Sequence, residues 1–438
     1  MAIKPNNKPE YLCMAPWTHT YLSPQSERRL CCASREPAQN FRQYIDTESG
    51  SGEYNPTSLT EWWNSEHVRS IRQTMMRGEI PSACEVCNHK LLNTSVYRDY
   101  FWHMFRHHYD RIWETTDDTG YTTMRPISWD YRFSNLCNFK CRMCGDMLSS
   151  SWESEVKRHG LVDQGNPKNG WLQEPVRSKM RRWQTDAAEL EFGAAIDSGT
   201  VEEIYWVGGE PLMYEQHWDY MKRIVDLDYA NRVYVRYNTN LSRVNYKGQN
   251  LWNMLSQFRD WQVCASLDGT GETGEYIRTG LNYNQWVQNF EAGVLAMQHN
   301  RQLKLDYTLT TPGLLEIQNM VELSKKYNVE LLTKVTFAFD PSILLSPLAL
   351  PRQLLDEIIN ESLTWLSANA TNLQQSLIDV LINLKARPTF EEQWPETFAE
   401  SARRGKNWYK QLDQIRQGNT IEYILSRDTR LIEWWNNV

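Results

Sequence analysis

Hydrophobic and polar positions change their rhythm near residue 126. Beyond it, short apolar runs alternate with longer stretches of helical spacing, which predicts strands over 126–133, 202–207, 233–237, 262–267, 303–309 and 331–337. Helical patterns fall over 146–158, 213–227, 248–259, 284–299 and 314–327. Strands separated by helices imply an α/β chain with a parallel sheet and right-handed crossovers, in which chemistry collects at the C-terminal strand ends. Residues 346–438 read as mostly helical, with repeated Leu and Ile spacing between Leu354 and Leu384. Ahead of 126 the pattern differs. A helical run opens near Ser58, passes Ile71, Met75 and Met76, and is stopped by Gly78 and Pro81. Residues 88–118 read as one long helix with aromatic and basic faces, and residues 161–200 are polar without a clear element. These shifts divide the chain into segments 1–125, 126–345 and 346–438.

The first strand of the α/β region runs into Cys137-Asn-Phe-Lys-Cys141-Arg-Met-Cys144, a C-x3-C-x2-C pattern. Three thiolates this close can hold three corners of an iron–sulfur cube and leave one iron open to a non-protein ligand. An open metal position marks a catalytic site, a filled one a structural site. A zinc knuckle, or three unrelated thiols, is the alternative. The second strand ends in Gly208-Gly209-Glu210, where glycines allow close backbone approach and the carboxylate can accept from an ammonium; a plain strand–helix turn is the other reading. The fourth strand ends in Ser266-Leu-Asp268-Gly269, whose hydroxyl and carboxylate suit a ribose diol, or simply a capped turn. Thr308 and Thr310 end the fifth, and Cys264 lies mid-strand as a buried small residue.

The N-terminal segment has its own cysteines: Cys13, the adjacent Cys31 and Cys32, and Cys84 with Cys87 in a C-x2-C turn. They offer four or five ligands, and a structural zinc site and a second iron–sulfur cluster fit equally well. His103 and His107 stand at i, i+4 beside His108, as a metal pair or as a solvated, cleft-lining face.

Composition then narrows the class. A length of 438 residues suggests two or three domains, and 41% hydrophobic with 23% charged residues is ordinary for a globular chain. The net charge of −7 argues against coating nucleic acid through a general basic field. No stretch approaches 18 apolar residues and the N-terminus carries no apolar signal region, so a cytoplasmic protein with no membrane span is expected. Nine cysteines in such a chain point to metal or redox use before disulfides.

The cysteine loop with Gly-Gly-Glu one strand later resembles the signature of the radical S-adenosylmethionine (radical SAM) family. The resemblance implies a partial (β/α)6 TIM-like barrel. It implies a 4Fe–4S cluster on Cys137, Cys141 and Cys144, with SAM bound at the open iron and cleaved to a 5′-deoxyadenosyl radical. It further implies Phe139 beside the adenine, Gly208, Gly209 and Glu210 at the amino group of the methionine moiety, Ser266 and Asp268 at the ribose, and Arg278 near the SAM carboxylate. In the N-terminal segment, Cys-x2-Pro-Trp, a hairpin cysteine, a Leu-x3-Trp-Asn-Ser helix and Cys-x2-Cys resemble the SPASM/twitch module, which holds an auxiliary 4Fe–4S cluster. That implies Cys13, Cys31, Cys84 and Cys87 as ligands. The module usually follows the barrel; here it precedes it. The family hairpin reads Gly-x4-Cys, and counting back from Cys31 gives Ser26, from Cys32 Glu27, neither a glycine. Related enzymes mostly act on peptides or proteins and take electrons from a flavodoxin- or ferredoxin-type reductant. A non-catalytic iron–sulfur or zinc protein, a scaffold or electron carrier, is the alternative function.

Overall fold

A computed structural model describes residues 4–5, 7–35, 56–87, 97–161, 174, 176–338 and 341–438. Its strands are β1 (His19–Leu22), β2 (Arg28–Arg29), β3 (Ser128–Tyr131), β4 (Glu203–Trp206), β5 (Tyr234–Thr239), β6 (Asn245–Tyr246), β7 (Gln249–Asn250), β8 (Asp260–Ser266), β9 (Leu303–Leu309) and β10 (Glu330–Val335). Eight form one sheet in the order β10-β9-β8-β5-β4-β3-β1-β2, while β6 and β7 make a separate small hairpin. The six strands read from the sequence are all present as β3, β4, β5, β8, β9 and β10. Their order is that of the expected barrel, and the pairs β3–β4, β8–β9 and β9–β10 are parallel. Period-two patterning explains β9: Leu303, Leu305, Tyr307 and Leu309 are fully buried on one face, while Lys304, Asp306 and Thr308 share the other.

The chain forms two compact units, one comprising residues 1–136, 146–236 and 257–260, the other 137–145, 237–256 and 261–438. In the first, the helix Glu215–Asp226 buries Trp218, Tyr220, Met221 and Ile224. Phe192 forms the centre of an aromatic core with Trp129, Tyr131, Phe133 and Trp206, at ring distances of 5.2–6.2 Å. In the second, helices Ile317–Tyr327 and Gln375–Lys385 pack on β10. Residues 346–438 are largely helical there, as their Leu and Ile spacing predicts.

Two features of the N-terminal segment were hidden from the pattern. First, β1 extends the sheet by pairing parallel to β3, His19 opposite Ser128 and Leu22 opposite Tyr131, with β2 antiparallel beyond it. Four wholly buried residues give no alternation to read. Glu191 ties this hairpin down: it accepts from Arg28 Nη2 at 2.9 Å, from the Tyr131 hydroxyl, and from the Leu59 backbone N–H at 2.7 Å. Second, the long helix expected over 88–118 is two helices, Tyr97–Phe105 and Tyr109–Thr115, separated by a tight turn at Arg106–His108. Its first part, 88–96, lies outside the described residues. Phe101, Phe105, Ile112 and Trp113 from these helices join Leu12, Met14, Trp17, Ile71 and Met75 in one core.

The β1–β2 turn explains the missing glycine. Ser26 sits at φ +63°, the left-handed region where glycine is the usual residue. Its Oγ is buried with no partner among the described residues. Ser26→Gly removes both penalties and is expected to raise stability by about 1 kcal/mol, read as a higher midpoint in denaturant at unchanged slope.

Candidate functional site

In the second unit the cysteine loop is fixed by backbone and by a buried ion pair. Lys140 N–H donates to Thr279 O at 2.7 Å and Arg142 N–H to Ile277 O at 2.8 Å. The Arg142 guanidinium lies over the Tyr276 ring at 3.7 Å and pairs with Asp413 of the helix Phe398–Arg416. Asp413 also accepts from the Ile421 backbone N–H at 2.8 Å. The C-terminal helices therefore hold the loop that carries the thiols, a role that no motif in residues 346–438 announces. Asp413→Ala leaves Arg142 a buried, unpaired charge. A loss of about 3–5 kcal/mol is expected, measured by denaturation.

Two of the three sulfurs, those of Cys137 and Cys141, sit among donors. Asn240 Nδ2 lies 3.8 Å from Cys137 Sγ, the Phe139 N–H donates to the same sulfur at 3.5 Å, and Arg278 Nη1 lies 3.9 Å from Cys141 Sγ. The hydrogen bond between Cys141 and Cys144 raises the first thiol and lowers the second, so the pair favours one proton between them. Such donors stabilise thiolate, the form that binds iron. Phe139 is buried against Gly280, at φ +110°, where an added Cβ would come within 3.0 Å of the Phe139 ring and of Asn138 O.

Arg278 and Asp268, read from the sequence as separate ligand contacts, meet each other: Arg278 Nε is 2.7 Å from Asp268 Oδ2 and Nη2 is 3.1 Å from Oδ1. The Thr308 N–H donates to the same carboxylate at 2.8 Å. Burial pushes the Asp268 carboxyl up even so. Asp268 is thus committed within the protein, anchoring Arg278 beside Cys141. Ser266 Oγ reaches Asp306 Oδ2 at 3.3 Å, and Asp306 also accepts from Asn238 at 2.9 Å and Lys334 at 2.7 Å. Asp306 and Lys334 were missed, although period-two spacing places Asp306 and Thr308 on one face of β9. The Thr310 hydroxyl is buried and accepts from the Gly313 N–H at 3.0 Å, and Cys264 is buried.

In the first unit Gly208, Gly209 and Glu210 follow β4 after Val207 and are clamped to the end of the segment after β3. Gly208 has φ +129°, and a Cβ on Gly209 would lie 2.3 Å from Leu136 O, so no other residue fits without backbone movement. Glu210 N–H donates to Leu136 O at 2.7 Å; Gly209 N–H donates to the Tyr214 hydroxyl, which donates to Ser134 O. The Glu210 carboxylate is buried and accepts from the Leu212 N–H at 3.0 Å.

One face of β1, β3, β4 and β5 is polar, with His19, Ser128, Asp130 and Glu203 buried and Arg132 and Arg236 half-buried. Arg132 pairs with Asp130 at 3.0 Å, Arg236 with Glu203 at 2.7 Å, and His19 Nδ1 meets Ser128 Oγ at 2.7 Å. Burial holds His19 neutral, down to about 4.

A second group of thiols lies in the same unit. Cys13, Cys31, Cys84 and Cys87 line a single pocket with Leu30, Met75, Tyr97, Arg98 and Phe101. Burial pushes the Cys13 thiol up to about 12 and raises Cys31 as well, so these sulfurs stay protonated until a cation compensates them. Four soft donors around one apolar pocket fit a thiolate-bound metal centre. Cys32 is not among the pocket's lining residues. It hydrogen-bonds with Tyr97 and lies in the field of Asp130, Arg132 and Arg236. His103 takes no part in a metal-like group among the described residues, whereas His107 and His108 both meet Glu202, at 3.1 and 2.9 Å.

Comparison with known proteins matches residues 131–314 to the model of the radical SAM superfamily and residues 13–88 to the SPASM iron–sulfur cluster-binding domain. No curated protein matches. Among solved structures, Streptococcus suis SuiB is 11% identical over 65% of this chain and 56% of its own, at a TM-score of 0.35. SuiB bound to precursor peptide SuiA is 12% identical over 70% and 62%, at 0.34. Native anSMEcpe with bound AdoMet and Cp18Cys peptide is 17% identical over 54% and 60%, at 0.33. The chain thus spans less than two thirds of each of these three.

Proposed function

We propose that the chain is a radical SAM enzyme that abstracts hydrogen from a peptide or protein substrate, using SAM and two 4Fe–4S clusters; the matches of residues 131–314 to the radical SAM superfamily and of 13–88 to the SPASM iron–sulfur cluster-binding domain support the reading. The segments 1–125, 126–345 and 346–438 serve in this reading as cluster module, barrel and supporting helices. The observation that carries it is the cysteine loop, three thiols on one short segment with Asn240 at Cys137 and Arg278 at Cys141. When bound there, a 4Fe–4S cluster with one open iron supplies the electron that splits SAM into methionine and a 5′-deoxyadenosyl radical.

The residues then divide the work. Cys137, Cys141 and Cys144 hold the cluster. Arg278 is kept charged by Asp268 and Cys141 although burial opposes it, and is directed at the SAM carboxylate. The family resemblance assigns Gly208, Gly209 and Glu210 to the amino group, Ser266 and Asp268 to the ribose, and Phe139 to the adenine. The resemblance to SPASM/twitch enzymes favours a peptide or protein substrate, with an external flavodoxin- or ferredoxin-type protein delivering the electron.

The direct test is anaerobic: the reconstituted, reduced protein is incubated with SAM and 5′-deoxyadenosine is quantified. No product at any reductant strength would overturn the reading. Glu210→Ala is expected to weaken SAM binding by about tenfold or more, from the loss of a charge-assisted contact of about 1.5–3 kcal/mol, with iron content unchanged. Calorimetry returning wild-type affinity would remove Glu210 from the site.

A further inference from the structure

At the opposite ends of β3, β4 and β5 from the Gly208–Glu210 turn, the first unit has a cleft of about 590 Å³ that the radical chemistry does not use. Its walls carry Arg111, Arg125, Arg232 and Arg259, together with His107 and a single carboxylate, Glu202. We propose that this cleft is a binding site for a small polyanion bearing two or more phosphate or carboxylate groups.

Charge is the first reason. Elsewhere arginines are engaged: Arg28 with Glu191, Arg132 with Asp130, Arg223 with Asp197 and Glu189, Arg352 with Glu392, Arg430 with Glu361 and Asp428. Among the described residues the guanidiniums of Arg111, Arg125, Arg232 and Arg259 have no hydrogen bond and no ion pair. Glu202, which hydrogen-bonds with His107 and His108 at 3.1 and 2.9 Å, is the one carboxylate lining the cleft and offsets at most one of the four charges. A chain of net charge −7 therefore concentrates uncompensated positive charge in one concavity, where the walls focus the field.

Geometry is the second reason. The arginines come from four segments: the helix Tyr109–Thr115, the loop before β3, the turn Ala230–Arg232 before β5, and the approach to β8. Backbone hydrogen bonds lock several of these together: Glu202 N–H to Ile127 O at 2.8 Å, Tyr234 N–H to Glu202 O at 2.9 Å, and Arg259 N–H to Ala230 O at 3.0 Å. The forks are thus mounted on a fixed frame, and a guanidinium fork matches phosphate and carboxylate oxygens bidentately. The cleft volume falls within the roughly 300–1,000 Å³ of small-molecule sites. A ligand there lies about a strand length from the Gly208–Glu210 turn, so it is a second ligand and not the hydrogen donor. The inference stands independently of the radical reaction.

The test titrates the reconstituted full chain with inorganic tripolyphosphate and, separately, with citrate, followed by calorimetry at low and moderate salt. Saturable binding of one or both is expected, weakening as salt rises. Arg125→Ala/Arg232→Ala and Arg111→Ala/Arg259→Ala should each lower affinity about tenfold or more, with the thermal midpoint unchanged because all four side chains are exposed. The response to the two anions separates phosphate from carboxylate ligands. Equal binding by wild type and both double variants overturns the proposal. So does binding of hexaglutamate peptide with neither small anion bound, which would make the cleft a protein-docking surface.

Discussion

Replacing any one of Cys137, Cys141 or Cys144 with alanine is expected to reduce 5′-deoxyadenosine formation to background. A cube held by three thiolates has no protein sulfur to substitute for a lost corner: the nearby Asn240 turns its amide nitrogen to Cys137, and the Arg278 guanidinium has no lone pair to offer iron. The fold should survive, since Phe139, Arg142 and the backbone bonds to Ile277 and Thr279 hold the loop without the sulfurs. The measurement is product per chain after anaerobic reconstitution, beside a denaturation curve for each variant. Undiminished cleavage by one variant would remove that cysteine from the site.

The second large effect concerns iron. A chain with Cys137, Cys141 and Cys144 all changed to alanine is expected to retain about four irons, because the pocket lined by Cys13, Cys31, Cys84 and Cys87 offers four thiols of its own. Its spectrum should not respond to SAM. In that background Cys31→Ala should abolish the remaining iron signal, while Cys32→Ala should leave it intact, since Cys32 is directed toward Tyr97, Asp130 and Arg132. Zinc or no metal in the triple variant would make the N-terminal centre structural. Loss on Cys32→Ala with retention on Cys31→Ala would reverse the ligand assignment.

How much of this was legible depends on whether the signal was local. The six strands and most intervening helices could be read because each is long enough to show its period, as β9 does with four buried apolar residues alternating with Lys304, Asp306 and Thr308. The cysteine triad and Gly-Gly-Glu could be read because spacing alone constrains them. β1 could not, being four buried residues whose partner lies more than a hundred positions away. The break at Arg106–His108 was also missed, since helical patterning continues through a single tight turn.

By itself the sequence determined the α/β order, the two sets of thiols and the glycines, because local backbone preference and ligand spacing are properties of neighbouring residues. The tertiary structure alone decided the pairings. It joined Arg278 to Asp268, Arg142 to Asp413 and Glu191 to the β1–β2 hairpin, and it separated Cys31 from Cys32. It also gave Ser26 the left-handed conformation that glycine usually takes. The physical reason is that a buried charge needs a partner. Which partner it finds is set by the packing of distant segments, which no local pattern encodes.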